Sequence, residues 1–255
     1  MSYETGTHSV PGIVLNHSPA ASRQYNGCPS IVVLPTGEYV ASHSFFGPGS
    51  THKDSVVYRS PDKGATWQRI AELHGQIWSK LFHHQGWLYI IGTDQCDRVG
   101  DRLGGAIVIR RSGDRGETWT EPTGPDSGLL TDSAGYHTAP VALAVSRGRI
   151  WKACEFAPNT DRRTWRTFDL SAPADADLLR RSNWTFTEPI DSWPAWQWIE
   201  GNALVAPEGD VVVLSRANKI DRMTPWGPEK RRQSGGEETA AMIHVSADGT
   251  ALTHD

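Results

Sequence analysis

Apolar residues fall along this chain in short runs, each broken by a turn that carries glycine, and the runs come in pairs. Pro29-Ser30-Ile31-Val32-Val33-Leu34 turns at Pro35-Thr36-Gly37 and returns as Glu38-Tyr39-Val40-Ala41-Ser42-His43. Leu81-Phe82-His83-His84 turns at Gln85-Gly86 and returns as Trp87-Leu88-Tyr89-Ile90-Ile91-Gly92. Ala139-Pro140-Val141-Ala142-Leu143-Ala144-Val145 turns at Arg147-Gly148 and returns as Arg149-Ile150-Trp151-Lys152-Ala153-Cys154-Glu155. Gly201-Asn202-Ala203-Leu204-Val205-Ala206 turns at Pro207-Glu208-Gly209 and returns as Asp210-Val211-Val212-Val213-Leu214-Ser215-Arg216. Runs this short, rich in β-branched and aromatic residues and bounded by turn formers, predict strands and exclude a helical fold. The turn glycines Gly37, Gly86, Gly148 and Gly209 are spaced 49, 62 and 61 apart. Such a period belongs to propellers or solenoids.

A second repeat runs over the first. Ser60-Pro61-Asp62-Lys63-Gly64-Ala65-Thr66-Trp67 returns after a spacing of 52 as Ser112-Gly113-Asp114-Arg115-Gly116-Glu117-Thr118-Trp119. Ser-x-Asp-x-Gly-x-Thr-Trp suits a tight turn, in which Asp bonds its own backbone and Gly takes a positive φ. Trp184 ends a degenerate copy, and Ser246-Ala247-Asp248-Gly249-Thr250 begins another near the end of the chain. The motif resembles the Asp-box, or BNR repeat, of the sialidase superfamily. That resemblance implies an all-β, sialidase-like β-propeller of four-stranded antiparallel blades. About four blades are expected here, at 29–67, 79–119, 139–184 and 200–250 of one domain over 1–255. Ile13-Val14-Leu15 is expected to add a lone strand to the last blade. Sialidase-like propellers have six or seven blades, so this chain reads as a truncated circle whose end blades expose edges that lower solubility.

Composition narrows the partners. Lys+Arg number 25 against Asp+Glu 29, a formal net charge of −4, and the longest basic run is Lys230-Arg231-Arg232, so nucleic acid is not expected. Neither a membrane span nor an export signal is visible. The compartment stays open between the cytoplasm and a fragment of an exported protein. Cys28, Cys96 and Cys154 form no disulfide or zinc pattern and read as small buried residues. No cofactor or metal is expected, and the chain is read as a monomer. The 11 Trp serve packing or sugar stacking.

In a propeller the innermost strand of each blade starts, and the second strand ends, at one mouth of the channel. Starts of inner strands supply Gly27 and Cys28, Trp78 and Lys80, His137, and Glu200 with Asn202. Ends of second strands supply His43, Asp94, Glu155 and Arg216. Glu155 and Glu200 are candidates for the two carboxylates of glycoside cleavage, and His43 and His137 for general acid or base. Arg216 is a candidate for gripping a substrate carboxylate, with Asn202, Asp94, Lys80 and Trp198 as further binding residues. Trp193, Trp196 and Trp198 lie just before Glu200 and are expected to line the cleft. His83 and His84, beside the far turn, read as structural or exposed.

Glu200 through Arg216 also resembles the sialidase segment in which a Glu precedes one strand and an Arg ends the next. There the Glu assists a Tyr nucleophile and the Arg joins a carboxylate-binding triad. The Arg-Ile-Pro motif of that family is replaced by Tyr25-Asn26-Gly27-Cys28-Pro29-Ser30, which departs from sialidase chemistry. Pro29-Ser30-Ile31, Ala41 to Gly47, Tyr136-His137-Thr138-Ala139-Pro140 and Gly148-Arg149-Ile150-Trp151 are similar to seven-bladed propellers acting on rhamnose linked to glucuronate. These are α-L-rhamnosidases or rhamnosyl-glucuronate lyases, and the resemblance implies a catalytic role for His43. The function expected is therefore an exo-acting glycosidase or lyase that removes a terminal sugar, sialic acid-like or rhamnose, from an acidic oligosaccharide or polysaccharide. The alternatives are a non-catalytic carbohydrate-binding propeller and an inactive fragment.

Overall fold

The computed structural model describes residues 12–96, 98–99, 102–132, 135–157, 165–190, 196–224, 227–230 and 239–254. It is an all-β propeller-like stack of four antiparallel blades. Blade one holds β1 (Tyr25–Val33), β2 (Tyr39–Phe46), β3 (Asp54–Ser60) and β4 (Gln68–His74) in that order. Blade two holds β5 (Ile77–His84) and β6 (Trp87–Thr93); a small hairpin, β7 (Arg98–Val99) with β8 (Arg102–Leu103), precedes its third strand, β9 (Ile107–Ser112). Blade three has a split inner edge, β10 (Tyr136–His137) and β11 (Ala144–Ser146), then β12 (Arg149–Phe156), β13 (Arg166–Pro173) and β14 (Thr185–Phe186). Blade four holds β15 (Trp196–Val205), β16 (Val211–Thr224), β17 (Gly227–Lys230), β18 (Thr239–Val245) and β19 (Leu252–His254).

The inner hairpins form where the glycines predict them. Gly37 and Gly209 have φ of 87° and 90°, a region that costs a Cβ-bearing residue free energy. Each closes the same turn: Gly37 N donates to Leu34 O and Gly209 N to Ala206 O, both at 2.8 Å. The second strands of blades two and three are buried on both faces, because alternate side chains serve the two neighbouring blades. In β6, Leu88 and Ile90 pack with Val40 and Val57 of blade one, while Tyr89 and Ile91 pack with Ile150 and Phe168 of blade three. In β12, Ile150 and Cys154 join that second seam, and Trp151 and Ala153 meet Ala203 and Val213 of blade four. Each buried Leu or Ile contributes roughly 1.5–3 kcal/mol, so the seams hold the blades in sequence.

The two octapeptide turns are stapled in the expected way. Asp62 accepts from Thr66 N, Thr66 Oγ1 and Ser60 Oγ at 2.7–2.8 Å, and Trp67 Nε1 donates to Gly64 O. Asp114 accepts from Glu117 N, Thr118 N and Ser112 Oγ, and Trp119 Nε1 donates to Gly116 O. The indole of Trp184 likewise donates to a turn carbonyl, that of Leu178. Ser246 and Asp248 build a shorter version around Thr250.

Three local expectations change, and one is met. After the second octapeptide no ladder strand forms, and the outer edge of blade two is a single bridge between Val108 and Leu129. The run from Ala139 to Val145 is not one strand: Pro140 has no N–H for a ladder, and 138–143 leave the sheet between β10 and β11. Ile13 to Leu15 add no strand to the last blade, because Asn16 and Ser18 hydrogen-bond the side chain of Asn26 and hold this segment beside blade one. His84 is structural, its Nε2 lying 2.6 Å from Ala174 O of blade three.

Candidate functional site

Three innermost strands are distorted at the same level. The register slips between Gly27 and Ser30 in β1, between Ile77 and Lys80 in β5, and between Ile199 and Asn202 in β15. Each slip is a β-bulge, and each holds a non-glycine residue with positive φ: Cys28 (52°), Trp78 (51°) and Glu200 (58°). Blade three reaches the same level by leaving the sheet at Thr138 to Leu143. The four distortions surround one cavity of about 410 Å³, lined by Cys28, Trp78, His137, Thr138, Glu200 and Asn202 among others. That volume lies in the ~300–1,000 Å³ range of small-molecule sites.

His137 and Glu155 face each other across β10 and β12, with Nδ1 2.7 Å from Glu155 Oε2. With a carboxylate oxygen as the acceptor, Nδ1 supplies the hydrogen of this bond and Nε2 is the ring nitrogen left for another partner. The other oxygen of Glu155 accepts from Glu200 N at 2.7 Å and Gly201 N at 3.3 Å. One buried carboxylate therefore ties blade three to the bulge of blade four. Gly201 is required there, because a Cβ would meet Val213 at 2.6 Å and Ser215 Oγ at 2.8 Å. The bulge turns the Glu200 carboxylate to the mouth, where it pairs with Arg216 at 2.9 Å; their side chains are 38% and 52% exposed. The indole of Trp78 packs edge-on to His137, ring centroids 4.2 Å apart, and its carbonyl accepts from Thr138 Oγ1. Burial and the Glu200 charge push the Cys28 thiol up to about 12, so it is neutral near pH 7. Lys152, fully buried, donates from Nζ to Ala139 O and Ala153 O, which pins the irregular segment that lines the cavity. Burial lowers its pKa.

His137, Glu155, Glu200, Asn202 and Arg216 are thus brought together. Others are not. The residues at equivalent second-strand positions are Ser44, Thr93, Glu155 and Arg216, which pair with Gly27, Ile77, His137 and Ile199. His43 lies one residue inside this level, and one residue on a strand reverses the side chain. Its ring stacks on Tyr58 and packs edge-on to Phe45, beside a separate cavity of about 620 Å³ on the outer flank of blade one. Asp94 lies one residue beyond it, its Oδ1 accepting from Ala106 N, so it closes a loop. Burial raises its pKa. Lys80 stands near Lys152 between blades two and three, and burial first, then that neighbour, lowers its pKa. Trp198 is 8% exposed and packs against Trp151 and Ala203, so its indole fills a seam instead of lining the cleft. Trp193 and the side chain of Trp196 lie outside the described residues.

Cys28 and Trp78 line the cavity, and sequence reasoning placed them at the mouth without assigning them a role. Cys28 was expected to be buried and is half-buried at the mouth. The signal available was their place at the starts of inner strands. Among the described residues no group of three or more His, Cys, Asp or Glu is arranged to hold a metal, and no helix is long and apolar enough to cross a membrane.

No protein-family model and no curated protein sequence matches the chain. Solved structures do. A protein of unknown function from Dyadobacter fermentans superposes with a TM-score of 0.60 at 16% identity, over 91% of this chain and 68% of that one. An α-L-arabinofuranosidase from Lactobacillus brevis gives 0.53 at 14% identity, over 87% and 73%. The GH93 α-L-arabinofuranosidase of Fusarium graminearum, in complex with arabinobiose, gives 0.57 at 11% identity, over 90% and 65%. At these identities the likeness is one of fold.

Proposed function

We propose that this chain is a carbohydrate-active enzyme that cleaves the linkage of a terminal sugar at the mouth formed by Cys28, Trp78, His137 and Glu200. The observation that carries this reading is the pair of ionisable couples at one cavity, His137 with Glu155 and Glu200 with Arg216. Glycoside cleavage needs one group to protonate the leaving oxygen and one to act on the opposite side. His137, once Nε2 carries a proton, takes the first role, and Glu200, paired with Arg216, takes the second. Glu155 is a positioning residue, since its oxygens are already engaged by His137 and two backbone N–H groups. Arg216 gives one N–H to Glu200 and keeps other donors, which suits a sugar carboxylate. The arabinofuranosidases of like fold support the glycosidase class.

Within that class the reading is an exo-acting enzyme on an acidic glycan, releasing rhamnose linked to glucuronate or a sialic acid-like sugar. The same residues serve elimination, with His137 as base and Arg216 neutralising the uronate. The test is incubation of the purified chain with a rhamnosyl-glucuronate oligosaccharide, a sialoside and an arabino-oligosaccharide. Released sugar and the absorbance of an unsaturated uronate are followed, with His137→Ala as control. Sugar released by the wild type and not by the variant is expected, and the unsaturated product separates lyase from hydrolase. A folded wild-type chain that binds these glycans and releases nothing would overturn catalysis in favour of a binding propeller.

A further inference from the structure

Nine described residues other than glycine have positive φ, and their positions sort cleanly. Lys63, Gln85, Arg115 and Arg147 each precede a turn glycine, Arg23 follows a 3₁₀ turn, and His52 lies in a loop. Only Cys28, Trp78 and Glu200 lie inside strands, and all three line the one cavity at the propeller mouth. A left-handed backbone is costly for any residue with a Cβ, and it persists where surrounding structure enforces it. Glycine at these positions would hold the bulge without that cost. Instead the chain carries a thiol, an indole and a carboxylate there. Glu200 already has a use in the reading above.

We infer that the bulges of β1 and β5 exist to present Cys28 and Trp78 to the ligand, with the Trp78 indole as the stacking face for one sugar ring. This inference rests on the carbohydrate reading and adds the binding platform to it. Trp78 is half-buried, braced on one side by His137 and through its carbonyl by Thr138. A rigid aromatic beside the proton-transferring imidazole suits the C–H face of a pyranose or furanose. The cavity is two-sided in its chemistry. Pro29, Pro140 and Val141 add apolar surface to the lining, and His137, Glu200 and Asn202 add polar groups for hydroxyls. Cys28 adds a small neutral group to the lining, one that a sugar can approach closely.

The experiment is calorimetric titration of the intact chain with L-rhamnose, L-arabinose, D-glucuronate and N-acetylneuraminate, together with thermal melts. Three variants are compared with the wild type: Trp78→Leu, Trp78→Phe and Cys28→Gly. Trp78→Leu is expected to weaken the sugar that binds about tenfold, as loss of an aromatic platform does, while Trp78→Phe stays within about threefold. Cys28→Gly is expected to melt no lower than wild type, because glycine relieves the positive φ, and yet to bind more weakly. Unchanged affinity in Trp78→Leu, or a lower melting temperature in Cys28→Gly with affinity kept, overturns the inference and leaves the catalytic reading standing. A wild-type chain that binds none of the four sugars and cleaves none of the three glycans overturns both.

Discussion

Glu155 has little capacity left for chemistry of its own: it is 1% exposed, receives two backbone N–H groups on one oxygen and meets His137 on the other. Its effect on a reaction passes through the histidine. Glu155→Gln keeps an acceptor for one set of partners but presents either oxygen or NH₂ to Nδ1, so the ring tautomer is no longer fixed. Turnover is expected to fall by about 10²–10⁴ with KM little changed, as when a general acid or base is misplaced, and steady-state kinetics on a released sugar checks it. His43 acts on stability. Burial holds its pKa below the ordinary histidine value, so the unfolded chain takes the proton first as pH falls. Above about pH 6.5 both states are neutral and the residue contributes nothing; below it, stability is lost. Urea melts at pH 7.5 and 5.5 should show a drop that His43→Phe reduces, and an equal drop in the variant would place the effect elsewhere.

At the scale of the element, the octapeptide turns are held by carboxylates that collect hydrogen bonds. Bonds from Thr66 and Ser60 bring Asp62 to about 2, and those from Thr118, Ser112 and Glu117 bring Asp114 to about 2 against its own burial. A folded-state pKa below the unfolded one gives stability that is present above about pH 3.9 and is lost as pH falls toward 2. The double variant Asp62→Asn, Asp114→Asn should be less stable at pH 6, with the difference narrowing below pH 3. Melts across that range measure it, and a difference that persists at pH 2 would count against the carboxylates. These turns were readable because every bond spans at most four residues. Bulges were not readable in the same way. A bulge in β1 or β15 depends on how many residues the partner strand sets opposite it, and nothing local in Gly27-Cys28-Pro29 or Glu200-Gly201 states that count.

For the whole molecule, the seams between blades are filled and the two outer flanks are not. Ile31 and Val33 on blade one are 53% and 56% exposed, and Leu214 and Met242 on blade four are 43% and 47% exposed. Flat apolar flanks of this kind promote association. Sedimentation velocity across a tenfold concentration range is expected to show association, which Ile31→Lys with Leu214→Lys reduces. A single concentration-independent species in the wild type would refute it. The all-β class, the four inner hairpins, the glycine turns and the octapeptide staples are all legible along the chain. All of these follow from neighbours along the chain: side-chain alternation, turn chemistry and short-range hydrogen bonds. The sequence also placed His137, Glu155, Glu200, Asn202 and Arg216 near one mouth, because the start of one strand and the end of the next must meet there. Which polar groups face each other depends on how the blades pack. His43 turns to the outer flank because strand side chains reverse at every residue. Cys28 and Trp78 turn to the cavity because a bulge resets that alternation, and Glu155 couples His137 to Glu200 across 18 and 45 residues of chain.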